Sequence, residues 1–97
     1  MIRAIIVDDE PKSRDVLKTL LERFCTEVEI AGMAGSVAEA EAIIQLVNPD
    51  LIFLDIEMPG GNGLKLLESG KTGAADVVFV TSYAHYAIPA LRLSAVD

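Results

Sequence analysis

Three apolar runs in this sequence each stop at a side chain able to do chemistry. Ile5–Val7 stops at Asp8 and Asp9, Leu51–Leu54 stops at Asp55 with Glu57 two residues further on, and Val77–Val80 stops at Thr81. If the first and third runs are neighbouring strands, Asp8, Asp9 and Asp55 surround one cleft. Glu57 then lies just behind on the loop, and Thr81 places a hydroxyl over the same cleft from the adjoining strand end. Carboxylates gathered this closely repel, so either one holds a proton or a cation sits among them. Hard oxygen ligands with room for several waters suit magnesium.

A carboxylate is also a nucleophile toward phosphorus, forming an acyl phosphate provided that the charge on the phosphoryl oxygens is neutralised. With one oxygen of Asp55 on magnesium, the other is left to attack, and Thr81 can donate a hydrogen bond to the group once it has arrived. Each piece also has a plainer reading. Asp8 and Asp9 suit the capping of a first helix, Asp55 the role of a loop acid, and Thr81 that of an ordinary strand end. Caps alone need neither three acids at the point where strand order reverses nor a hydroxyl on the next strand, so the joint placement favours chemistry.

Strand and helix signals alternate to position these residues. Residues 2–7 read as a buried strand, and Pro11 sits where a first helical turn tolerates it. In the helix that follows, Leu17, Leu20, Leu21 and Phe24 form an apolar stripe, with Lys12, Arg14, Lys18, Glu22 and Arg23 mostly off it. Residues 28–34 form a second, weaker strand. Ser36 and Glu39 make a capping-box pattern ahead of Ala40, Ile43, Ile44 and Val47, and Asn48-Pro49 stops that helix.

The continuous run Leu51–Leu54 reads as a central parallel strand buried on both faces. A Pro-Gly-Gly-Asn-Gly turn at 59–63 leads to a short helix around 64–69 closed by Gly70, and Val77–Val80 is the fourth strand. From Tyr83 to Asp97, Ala84, Ala87, Leu91 and Ala95 fall near helical spacing with Pro89 among them. Pro costs about 3 kcal/mol in a helix interior, so the spacing predicts a kink or a regular helix that begins near Pro89. The alternation calls for the α/β class, a doubly wound parallel sheet with helices on both faces. In the flavodoxin-like strand order, sites form beyond the carboxyl ends of strands one and three, which here carry Asp8 and Asp55.

The bulk properties agree with a single domain over residues 1–97. The chain has 97 residues, an apolar fraction of 52% and a mean hydropathy of +0.41, enough for one packed core. No apolar run approaches the roughly 20 residues of a membrane helix, and no secretory signal precedes Asp8, so a soluble cytoplasmic protein is expected. Eight basic against 15 acidic residues, with a net charge of -7 and no basic run, argue against direct nucleic-acid contact. Cys25, the only cysteine, excludes an internal disulfide and reads as a buried or half-buried structural thiol.

Three segments resemble the response-regulator receiver domains of two-component signalling. They are Ile5-Ile6-Val7-Asp8-Asp9-Glu10, the stretch from Asp50 through Asp55-Ile56-Glu57-Met58-Pro59, and Val80-Thr81-Ser82, in the family's order and spanning nearly the whole chain. The resemblance implies that Asp55 accepts a phosphoryl group from a phosphohistidine on a sensor histidine kinase or phosphotransfer protein. It implies magnesium on Asp8, Asp9 and Asp55, with Asp8 acting directly or through water and Glu57 lending its backbone carbonyl. Thr81 would move toward the phosphoryl group and report it through the region up to Ala95 to an output domain, a transcriptional one. The run Tyr83-Ala84-His85-Tyr86-Ala87 further resembles the branch that carries a LytTR-type DNA-binding domain. His85 reads as a solvent-facing or locally bonded residue, and Tyr83 with Glu57 brackets the water path to the acyl phosphate, which implies slow self-dephosphorylation.

The family pattern continues into a fifth strand bearing a Lys-Pro pair, whose Lys neutralises the phosphoryl group opposite the metal. The 97 residues stop at Asp97, so the expected order is 2-1-3-4, with the fifth strand and last helix absent from this chain. If nothing follows, the fourth strand becomes an exposed edge, and the chain is expected either to pair with a second copy through it or through the final segment, or to be poorly stable. The reading is of a switch and not a turnover enzyme. Two alternatives stand beside it. A receiver-like module independent of phosphorylation would fit the missing Lys, and a magnesium-dependent aspartyl-phosphate phosphohydrolase would use Glu57 as its second acid, although no cap domain fits in this length.

Overall fold

The computed structural model describes residues 1–55, 66, 68, 70 and 72–80. In chain order the elements are β1 (Ile2–Val7), α1 (Pro11–Phe24), β2 (Val28–Ala34), α2 (Val37–Val47), β3 (Leu51–Asp55) and β4 (Asp76–Val80). The 59–63 turn, most of the 64–69 helix and everything from Thr81 onward lie outside the described residues. The readings of Glu57, Thr81, Tyr83, His85 and Pro89 therefore fall there too.

All the strand pairs are parallel, and their order is β2-β1-β3-β4, the doubly wound arrangement expected from the alternation. Successive side chains of a strand point to opposite faces, and among the described residues α2 lies on one face and α1 on the other. Ile5, Val7, Ile52 and Leu54 pack on one side with Ala40 and Ile44 of α2 and with Leu66. Ala4, Ile6 and Phe53 pack on the other with Leu17 and Leu21 of α1. A strand covered twice has no solvent face, which is why β1 and β3 read as unbroken apolar runs. Burial of each large aliphatic side chain contributes about 1.5–3 kcal/mol.

The opposite end of the sheet fixes the register. Asp50 donates its N–H to the Arg3 carbonyl at 2.7 Å and accepts the Arg3 N–H on its carboxylate at 2.9 Å, while Asp76 donates to the Asp50 carbonyl at 3.0 Å. One residue thus ties β1, β3 and β4 together before the strands run toward the site. At the far end Val7 pairs with Leu54, and Asp55 with Val80.

Helix α1 starts at Pro11, as its position predicts, and departs from expectation at its C-terminal end. Its N-cap is Glu10, in extended conformation and with no side-chain cap, so Asp8 and Asp9 do not cap it. Pro11 accounts for this start: its ring sets a helical φ and it has no N–H that would need a cap. At the other end the apolar stripe stops at Leu21. Phe24, the last helical residue, is 52% exposed, and Cys25 after it packs against the α1-side core.

Helix α2 begins as its pattern predicts. The Ser36 hydroxyl accepts the Glu39 N–H at 3.1 Å, but the Glu39 carboxylate accepts from Gly35, one residue before the cap, at 2.9 Å. Gly32 lets α2 lie close on β2, since a Cβ there would stand 3.1 Å from Ile43 Cγ2. Asn48 ends the helix in the left-handed region with φ 47°.

Candidate functional site

The site grows out of the strand register. Asp8 follows Val7, and its N–H donates to the Ala34 carbonyl at 3.0 Å, so β1 is still held to β2 where the acid emerges. Asp55 is the last residue of β3, one step beyond the Val7–Leu54 pair. The two acids therefore leave adjacent strands at the same edge. Asp9, the next residue after Asp8, reaches the same place from the loop. One carboxylate oxygen from each of Asp8, Asp9 and Asp55 lies within 4.8 Å of the other two.

Burial makes this cluster unusual. Asp8 is 7% exposed and Asp55 5%, and they are the buried charged residues among those described, while Asp9 faces solvent. Removing carboxylates from water is costly unless something compensates. Asp8 carries that cost visibly. Its own burial pushes its pKa up to about 6, the charges of Asp55 and Asp9 push the same way, and a hydrogen bond from the Glu10 N–H, 2.9 Å from Oδ1, pulls it back down.

The donor set fits a small divalent cation. It offers hard oxygen ligands from three side chains, one of them open to water, and a cation there would offset the burial, and relieve the lesser repulsion from Asp55 and Asp9, that raise Asp8. Glu57 and Thr81, predicted for the same cleft, lie outside the described residues.

One neighbour escaped the sequence reading. Arg14 stands off the α1 apolar stripe and was expected on the solvent side. It is half-buried, and its Nη1 donates to the Asp8 backbone carbonyl at 2.6 Å. A carbonyl acceptor carries no residue signature, so neither side-chain pattern nor spacing announces this contact.

The chain is similar to known proteins in sequence and in fold. A family model described as the response regulator receiver domain matches residues 4–97. The chain is 41% identical, along its whole length, to the sensory transduction protein LytT of Bacillus cereus, and 38% identical to a protein-glutamate methylesterase/protein-glutamine glutaminase of Agrobacterium fabrum. It spans 40% of the first and 29% of the second. Among solved structures, the response regulator domain of Thermotoga maritima CheB is similar with a TM-score of 0.74 and 33% identity, covering 95% of this chain and 72% of that one. The four-stranded order with its paired acids at the switch point, the family match and these relatives agree: the chain belongs to the response regulator receiver domains of two-component signalling.

Proposed function

We propose that Asp55 is the phosphoacceptor of a signalling switch. The observation that carries this reading is the buried Asp55 carboxylate at the end of the central strand, within 4.8 Å of the Asp8 and Asp9 carboxylates. An Asp55 oxygen attacks the phosphorus of a phosphohistidine on a histidine kinase or phosphotransfer protein. The new P–O bond forms as the P–N bond breaks, and the leaving imidazole takes up a proton. Asp8 and Asp9, with Asp55 and the Glu57 backbone carbonyl, would hold magnesium. Bound there, magnesium neutralises charge on the phosphoryl oxygens.

The chain's own residues do the rest. Packing of β3 against both helices holds Asp55 in place, and its burial limits water around the acyl phosphate. Thr81 donates a hydrogen bond to the phosphoryl group, which adds about -1.5 to -2 charge to the cleft. The shift of Thr81 and the region up to Ala95 then controls an output domain, a transcriptional one on the LytTR-type resemblance. Phosphoryl acceptance and its later hydrolysis are the only chemistry assigned, and a cytoplasmic setting belongs to the same reading. No described helix is long and apolar enough to cross a membrane.

Incubation with magnesium and a small acyl-phosphate donor tests this. Intact-mass analysis is expected to show one phosphoryl group on the wild type, none on Asp55→Asn, and none when a chelator removes magnesium. Equal labelling of wild type and Asp55→Asn overturns the assignment.

A further inference from the structure

We infer that Arg14 is a positioning residue for the acidic cleft, clamping the Asp8 carbonyl so that the Asp8–Asp9 turn presents both carboxylates to a cation, and that Gly35 exists to seat its guanidinium. The inference rests on the magnesium reading of the cleft and adds residues to it.

The geometry carries it. Three of Asp8's polar groups are held from three directions: its N–H by Ala34 of β2, its Oδ1 by the Glu10 N–H, and its carbonyl by Arg14 Nη1 at 2.6 Å. The first two bonds tie Asp8 to the strand and to the loop. The third ties it to α1, because Arg14 is anchored in the first turn, its own N–H donating to the Glu10 carbonyl at 3.1 Å. Arg14 therefore bridges Asp8 and the first turn of α1, with Asp9 in the loop between them. A guanidinium bonded to a carbonyl keeps its planar fork oriented and cannot lose its charge, which a Lys head group reproduces only in part.

The β2 side explains why the guanidinium can lie there. A Cβ on Gly35 would stand 3.1 Å from Arg14 Nη1 and 3.2 Å from Glu39 Oε1. Both are the ends of side chains, so a methyl group at 35 would push the Arg14 guanidinium and the Glu39 carboxylate back by a few tenths of an ångström. Gly35 is also the residue whose N–H the Glu39 carboxylate accepts. The C-terminal end of β2, the first turn of α2 and the first turn of α1 thus meet at a point without a side chain.

Groups that orient metal-binding residues typically change affinity by about 10–100-fold when lost. Magnesium titration of the full chain, followed by amide shifts of Asp8 and Glu10, is the test. Arg14→Met is expected to bind magnesium about tenfold more weakly, Arg14→Lys to recover part of the loss, and Gly35→Ala to weaken binding with its unfolding midpoint near wild type. Gly35→Ala keeps the proposal testable if Arg14→Met does not fold. Binding by Arg14→Met or Gly35→Ala within twofold of wild type, while Asp55→Asn loses it, overturns the positioning role alone. A wild type that binds no magnesium overturns the reading of the cleft and this inference together.

Discussion

Val7 pairs with Leu54, and the next residue along each strand is an acid, so Asp8 and Asp55 emerge side by side from β1 and β3. Apolar packing on both faces of these strands holds two carboxylates together that repel in the absence of a cation. Burial of these carboxylates therefore works against the stability that the core supplies, and the cost can be measured.

Asp8 gives the first measurement. Its pKa lies at about 6 when folded, against 3.8 for an ordinary aspartate, so the folded chain keeps a proton that the unfolded chain has released. Stability without metal is therefore highest below about pH 4 in this respect, falls as pH rises, and reaches the full loss once pH passes about 6. Urea unfolding in the presence of a chelator should show Asp8→Asn about as stable as wild type at pH 4 and roughly 1–3 kcal/mol more stable at pH 7. An equal difference at both pH values would contradict the titration of Asp8.

Magnesium must compete with the same proton. At pH 7 Asp8 is mostly ionised, and at pH 5 it is mostly protonated, so the apparent affinity should be about tenfold weaker at pH 5. Calorimetric titration at the two pH values checks this, and proton uptake or release measured in buffers of different ionisation enthalpy should show release near pH 6.

The double-sided core predicts a large loss from one central side chain. Ile5 is fully buried in β1 and packs beneath α2. Ile5→Ala should cost about 2–5 kcal/mol by chemical denaturation with an unchanged dependence on denaturant. A loss under 1 kcal/mol would mean that the sheet collapses easily around the cavity.

Ser36 caps α2 through its hydroxyl, 3.1 Å from the Glu39 N–H. Ser36→Ala should lower stability by about 1 kcal/mol while leaving magnesium binding within twofold of wild type. The contrast with Gly35→Ala, one residue earlier, separates the support of the helix from the support of the cleft.

Much of this was legible in the residues alone. Unbroken runs at Ile5–Val7 and Leu51–Leu54 read as strands buried on both faces, and an acid at the end of each points to a cleft where strand order reverses. Ser36 and Asn48-Pro49 delimit α2 by local chemistry that needs no tertiary partner. Other facts exist only in three dimensions. Asp8 and Asp9 are the same residue type in adjacent positions, and only the closing of β1 against β2 and β3 buries one and leaves the other in water. Arg14 and Gly35 are 21 positions apart along the chain and meet because α1 begins, and β2 ends, beside the C-terminal end of β1. Burial and backbone acceptors depend on what the chain folds against, and a sequence pattern records neither.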